Sequence, residues 1–589
     1  MRNQWSTRIL TTLAAAGFTA ALAASAASAA TPAATPGVRP GATPAGAPTA
    51  AADAIVSDFV YGDLALTPVA ATAAGYHVHD KRRLDGLWDD YSVAGIARAR
   101  RFNEELLHRL DALNGAALDA ERAADLEIVR DNVSLNLLEI DRIRDYRHNP
   151  TIYVELVGNG LYSPYVLDYA PPEERFRHII HRLQGIPALM AQARANLLDA
   201  PEVWNRVARE ENDGNIELVD KTLRAAAPAA LAGEYATAAA PALAALRDFS
   251  EYLAKTLSAH TSDWRLGKDN YERKCRYVLH TDRTPEQLLA AAEADLAATR
   301  AEMARLAAPR TVEEVLAEVA SQHATPATYM EQVRKELEQA TAFVRQKDLL
   351  TLASDSNLAV IDTPVFMRGI YGVGGFNPAP ALEPQLGAFY WMTPIPADWP
   401  RSRIDSKLRE YNNFGLQELT IHEAMPGHYV QAEYANRIEP RTRRVLRAIW
   451  GNGPYVEGWA VYTQQMMSDE GYLDNSPALR LSLLKQLLRG QANTILDIRL
   501  QTMGMSEQQA LDLMMKQTYQ EREEATAKYQ RAQLSSCQLA MYYAGSKGWL
   551  ALREHYKQRH SQDYTLKGFH ERALNEGAVP LPALERLLQ

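Results

Sequence analysis

ARARRFNEELLHRLDAL, residues 97–113, sets its apolar residues three and four apart between charges. That spacing is the 3.6-residue period of a helix with one buried stripe. The same pattern recurs over residues 174–198, 285–306, 328–344, 479–500 and 506–515. Two of these segments also carry start signals, Thr284 before Pro285 and Ser506 before Glu507, where a hydroxyl can cap the first turn. No fixed-period repeat runs through the chain, which argues against a solenoid. The expected fold class is mostly α.

Residues 358–396, LAVIDTPVFMRGIYGVGGFNPAPALEPQLGAFYWMTPIP, break the helical pattern with prolines, glycines and aromatics. Residues 358–361 and 387–393 read as short strands, and Gly372, Gly374, Gly375 and Pro378 read as the loop between them. Alternation in the second strand sets Phe389 and Trp391 on one face and Tyr390 and Met392 on the other. Pro384 and Pro394 flank it, which suits an edge strand. An edge strand can bind an extended peptide through main-chain hydrogen bonds, so this one is expected to line a cleft, with Tyr390 as a substrate contact.

The chain has 589 residues, 47% hydrophobic and 23% charged, with a formal net charge of −9. A globular core is well within reach, and an extended basic surface for nucleic acid is not supported. The N-terminus stands apart. Arg2 and Arg8 precede an Ala-rich apolar run, and Ala27-Ser28-Ala29 forms a small-x-small site. Residues 1–29 therefore read as a secretory signal peptide. No cysteine follows the apolar run, which argues against a lipid-anchored form. Residues 30–52, rich in Pro, Ala, Thr and Gly, read as a linker. Residues 53–589 are then the helical domain, with room for two lobes. Export to the periplasm or the medium follows, with no membrane span after cleavage. An exported protein could pair Cys275 with Cys537, but a chain of this size folds without a cross-link, so free thiols are the expectation.

Residues 416–431, LQELTIHEAMPGHYVQ, hold the strongest chemical signal. Histidine is the commonest protein ligand of zinc, and a neighbouring glutamate is the general base of many zinc hydrolases. His422 and His428 are six residues apart, not the four of the ordinary H-E-x-x-H helix. Six residues of helix rotate by about 240°, so the rings would point apart. Pro426 removes a helical donor and Gly427 relaxes the backbone, so a bulge is expected to return His428 to the face of His422. Glu457, at the start of a later helical stretch, NGPYVEGWAVYTQQMMSDE (452–470), completes a two-histidine, one-carboxylate set with an open fourth position. Taken singly, Glu457 could instead be a first-turn glutamate favoured by the helix dipole.

At these two motifs the chain resembles a bacterial family known as domain of unknown function 885 (DUF885), whose members look like zinc metallopeptidases of the gluzincin type. The resemblance continues in FMRGIYG (366–372) and GAFYWMTPIPADWP (387–400). It is weaker in LALTPVAATAAGYH (64–77) and RLQGIPALMAQARANL (182–197). A late family motif is matched by Arg531, Gln538, Tyr542 and Gly545. Ser536-Cys537 replaces the usual Pro-Gly there, so a straighter helix is expected. Gln501 stands where many relatives carry histidine. The resemblance implies a zincin-like helical fold with an active-site cleft and a small sheet along its rim. The ligand set implies zinc held by His422, His428 and Glu457, with Glu423 as base on a metal-activated water. Tyr542 is the candidate oxyanion donor, Arg531 a candidate substrate contact and a peptide the expected substrate. A non-peptidase amide or ester hydrolase and an inactive binding protein on a peptidase fold are the alternatives.

Overall fold

The amphipathic stretches fold as helices that end where their caps place them. The computed structural model describes residues 47–113, 117–353, 357–363 and 373–589. The signal-like segment, most of the linker and FMRGIYG lie outside them. The 97–113 pattern falls on a helix over Val93–Ala112, with Leu113 as its C-cap, opened by the Ser92 side chain accepting from the Gly95 N–H. Thr284 and Ser506 both form full capping boxes, with Gln287 and Gln509 reaching back. The 479–500 pattern extends over Pro477–Thr502. The first described helix, Ala47–Leu66, begins inside the stretch expected to be linker, whose alanines favour a helix once a core is present to dock on.

Among the described residues, most buried apolar side chains gather in three large clusters. One surrounds the main sheet and the histidine motif and takes residues from both ends of the chain, such as Phe59 and Leu584. Phe59 meets Trp450 edge-on, with ring centroids 5.0 Å apart. A second cluster packs Pro285–Ala307 on Pro477–Thr502. The third packs Pro172–Asn196 on Ala232–Lys255. A fully buried Leu or Phe contributes about 1.5–3 kcal/mol in such cores. The segment Ala229–Ala259 is long and apolar enough to cross a membrane by composition. It buries Tyr235, Leu243, Leu246 and Phe249, as a core helix does.

Arg182, from RLQGIPALM, is fully buried and donates to Pro68 O at 3.1 Å and Thr72 Oγ1 at 2.8 Å, both in LALTPVAATAAGYH. These two motifs are thus a structural knot. His77, at the end of the first, bridges Asp85 at 2.7 Å and Glu383 at 3.1 Å, tying the N-terminal helices to the loop before the last strand.

Two sheets occur among the described residues. A small ladder pairs β1 (Val78–His79) with β2 (Arg82–Arg83). The main sheet has β3 (Leu358–Asp362), β4 (Gly374–Asn377) and β5 (Ala388–Met392), in the order β3-β5-β4. Two expectations are corrected here. Gly374 and Gly375 form a strand, not a loop. The strand expected at the edge is central: β3 pairs with β5 in parallel, and β4 pairs with its other side antiparallel. The flanking prolines cap the ends of β5 and leave its ladder intact. Its alternation is as read, but both faces are covered. Tyr390 and Met392 enter the main core, and Trp391 packs with Tyr162.

The cysteines are also corrected. Cys275 and Cys537 are disulfide-bonded, with Cα atoms 5.3 Å apart and a sequence separation of 262. Chain length says whether a cross-link is needed, not whether two thiols meet. Closing so long a loop restricts the unfolded chain by up to ~5 kcal/mol. Cys537→Ser, or reduction of the wild type, is expected to lower stability by a few kcal/mol in denaturant unfolding. Coincident unfolding curves with and without reductant would show that the link contributes nothing.

Candidate metal centre

The site is assembled by three helices that meet at a broken turn. Helix Asn413–Glu423 opens on Asn412, whose Oδ1 accepts from the N–H groups of Phe414 and Gly415 at 3.1 and 3.2 Å. It stops at Glu423. The N–H groups of Ala424 and Met425 both turn back to Thr420 O at 3.0 Å. Pro426 follows a cis peptide bond, and a new helix, His428–Ala435, begins at the second histidine. The expected bulge within one helix is therefore a break between two. The cause lies in the sequence: Pro426 has no N–H to continue the ladder. Gly427 closes the turn by donating to Ile421 O at 2.9 Å. A Cβ there would lie 1.9 Å from the carbonyl oxygen of His422. Gly427→Ala is thus expected to push His428 out of register and weaken metal binding by at least ~10-fold, as misplaced ligand support does. A zinc titration that matches wild type would show that the turn tolerates the methyl group.

Helix Gly453–Asp469 supplies Glu457 and also locks the turn. Trp459 Nε1 donates to Pro426 O at 3.0 Å and Gly427 O at 3.2 Å. Gly458 of this helix lies directly on Gly545 of helix Met541–Arg559, where a Cβ on Gly458 would meet the Gly545 carbonyl carbon at 2.4 Å. That close approach brings Tyr542 over the site.

His422 Nε2 is 3.5 Å and His428 Nε2 3.6 Å from Glu457 Oε2. The rings stand at 85°, with centroids 4.7 Å apart. Ligand atoms on a tetrahedral zinc with bonds near 2.0–2.1 Å are separated by about 3.4 Å, so the spacing fits. The Glu457 side chain is 1% exposed, and neither of its oxygens accepts a hydrogen bond. His428 Nδ1 is likewise buried without a partner. A buried carboxylate in that state is costly unless a cation faces it. Burial pushes the Glu457 carboxyl up, but the two imidazoles outweigh it and hold it well below the usual range. Among the described residues this is the one group of three such side chains placed to hold a metal.

Glu423, beside the cluster, accepts from the Phe376 N–H at 3.0 Å. Burial pushes its carboxyl up to about 7, with Glu457 adding to the shift and His422, the Phe376 N–H and Arg531 opposing it. Phe376 is on β4, and its ring lies near-parallel to His428 at 6.4 Å. Sequence reading missed Phe376 because it acts through its backbone, and missed Trp459 because it acts on a turn 32 residues away in sequence.

The late motif assembles at the same place. Arg531 Nη2 donates to Gln538 Oε1 at 2.8 Å and to the Tyr542 hydroxyl at 3.2 Å. The Tyr542 ring is 6.3 Å from that of His422. Burial, with Glu457, raises the Tyr542 pKa, so the phenol keeps its proton. The helix is not straighter at Ser536-Cys537 but ends at Leu534. Cys537 adopts φ +63°, and Asp497 accepts from its N–H at 3.1 Å. Gln501 braces this segment, accepting from the Leu266 N–H at 2.9 Å and donating to Ser535 O at 3.2 Å. Tyr390 is fully buried, with its hydroxyl 3.3 Å from Thr420 Oγ1, so it supports the histidine helix from behind and presents no surface to a substrate.

Fold and site define a mostly helical protein built around a buried two-histidine, one-carboxylate cluster. The chain belongs to DUF885, a family of bacterial proteins of unknown function, whose model matches residues 68–588. Two similar solved structures each carry the name putative lipoprotein. One, of unknown function from Shewanella oneidensis, is 29% identical, with a TM-score of 0.76 over 92% of this chain and 99% of that one. The other, from Colwellia psychrerythraea, is 19% identical, with a TM-score of 0.74 over 91% and 98%, and shows the fold alone. No curated protein matches the chain.

Proposed function

We propose that the protein is an exported, zinc-dependent hydrolase of the gluzincin type that cleaves peptides. The observation that carries this reading is the orphaned Glu457 carboxylate 3.5 and 3.6 Å from two imidazole nitrogens, with a second carboxylate, Glu423, adjacent. His422, His428 and Glu457 would hold the ion, which supplies Lewis acidity and lowers the pKa of a water towards 7. Glu423 takes the proton of the attacking water and passes it to the leaving amine. The Phe376 N–H keeps Glu423 aimed, as a base must be within hydrogen-bond reach of its proton. Tyr542, whose oxygen already accepts from Arg531, has its O–H proton to donate to the oxyanion.

Peptide is favoured over other amides and esters by β4. Among the described residues it pairs on one side only, and its other edge faces Glu423. An extended main chain can add to such an edge. Export is supported by the signal-like N-terminus, the disulfide and the naming of the similar Shewanella structure as a putative lipoprotein. The test is elemental analysis of the purified protein, followed by digestion of a peptide pool read by mass spectrometry. About one zinc per chain is expected, with cleavage that a chelator stops and zinc restores. A metal-free protein that stays inert when zinc is added would overturn the reading.

A further inference from the structure

Helix Arg522–Leu534 carries Arg531 and helix Met541–Arg559 carries Tyr542, so residues 535–540 join the two halves of the late motif. Gln538 lies within this link. It accepts from Arg531 Nη2 at 2.8 Å, and the same nitrogen donates to the Tyr542 hydroxyl at 3.2 Å. Where Gln538 points therefore bears on where the Tyr542 hydroxyl rests.

The link turns at Cys537. Its φ of +63° lies in the left-handed region, which glycine enters freely and a residue with a Cβ does not. Relaxation of φ at 537 rotates the chain beyond its Cα, and Gln538 is the first residue to move. Two groups oppose that rotation. Asp497 accepts from the N–H groups of Cys537 at 3.1 Å and Ala540 at 3.3 Å. The sulfur of Cys537 is bonded to Cys275 on helix Gly267–Leu279. That helix is fixed by the buried Tyr271 ring and by the Lys274–Glu139 pair at 2.7 Å. Asp497 ties down the backbone on either side of the turn. The disulfide holds the side chain of the very residue whose conformation is unfavourable.

We propose that the Cys275–Cys537 bond positions the Arg531–Gln538–Tyr542 group, so that the site is completed only once the two thiols have been oxidised. The reduced chain keeps its metal ligands, but residue 537 relaxes and draws Gln538 away from Arg531. Oxidation is an exchange with a disulfide donor: one S–S bond forms between Cys275 and Cys537, the donor's S–S bond breaks, and both protons and both electrons leave on two donor thiols. Cys537 is then a positioning residue, and the bond ties activity to an oxidising compartment. The consequence for turnover rests on the peptidase reading, whereas the geometry stands apart from it.

Substitution at 537 separates positioning from stability. Cys275→Ala/Cys537→Ala and Cys275→Ala/Cys537→Gly both lack the cross-link, and both should melt below the wild type. Only the first retains the left-handed cost, worth about five- to thirtyfold in a conformational equilibrium. It is expected to lose kcat by about that factor at unchanged KM and zinc content, while the glycine variant stays within about threefold of the wild type. Cys275→Ala/Cys537→Asn should fall between them, and it replaces the alanine variant in the comparison if that one does not fold. Amide exchange of the zinc-free proteins supplies a second readout. Protection at residues 537–540 should fall in the alanine variant and recover in the glycine variant. Where the zinc-loaded wild type cleaves peptides, equal kcat in the two variants overturns the proposal and leaves the peptidase reading standing. Where it cleaves nothing, that reading falls and protection alone decides: recovery with glycine keeps the positioning role, and equal protection rejects it.

Discussion

Glu423→Gln is expected to keep its metal and to lose turnover by roughly 10²–10⁴-fold, the usual worth of a positioned general base. The amide has the same shape, and its carbonyl oxygen can still accept from the Phe376 N–H, which now sits 3.0 Å from a carboxylate oxygen. What is lost is the capacity to take a proton. Because Glu423 stands outside the ligand set, zinc content should match wild type, and the deficit should lie in kcat. Elemental analysis alongside single-turnover cleavage of the best peptide in the pool makes the comparison. Turnover within a few-fold of wild type would remove Glu423 from the chemistry.

Glu457→Gln should have the opposite signature. Loss of an inner ligand is expected to weaken zinc by more than ~100-fold, beyond the 10–100-fold typical of an outer-shell partner. In the wild type, free zinc at a hundred times its Kd should stabilise the fold by ~2.7 kcal/mol, and in the variant it should add almost nothing. The metal-free variant should be less stable than metal-free wild type at neutral pH, because a carboxyl that the two imidazoles hold below its ordinary range contributes stability that the neutral amide cannot. Melting curves with and without zinc give both answers. A variant still stabilised by zinc would mean that Glu457 is not a ligand and that its burial beside two imidazoles has another cause.

The helices were legible because their information is local. An apolar residue every third or fourth position dictates a buried stripe whatever the stripe packs against, and the 97–113 and 479–500 patterns each fall on a helix that starts before them. The candidate histidine–glutamate motif was legible for a related reason. His422, Glu423 and His428 are close in sequence, and Pro426-Gly427 announces a local departure from the helix. The form of that departure was not legible. Whether a Pro-Gly pair bulges a helix or ends it depends on groups remote in sequence that hold the turn, and here Trp459, from another helix, does so by donating to the carbonyls of Pro426 and Gly427.

Sequence by itself determined the mostly helical class, the two short strands, and the residues of the candidate ligand set and its neighbouring base. These follow from side-chain chemistry and from periods of a few residues. Only the tertiary structure decided which strand is central, that Cys275 meets Cys537, that Tyr390 lies behind the site, and that Phe376 aims Glu423 through its backbone. Each of these is a pairing between groups far apart in the chain. Strand order is set by backbone groups every residue shares, and a disulfide by the approach of two Cα atoms. Strand order leaves no mark on residue identity, and the presence of two cysteines does not by itself say whether they meet.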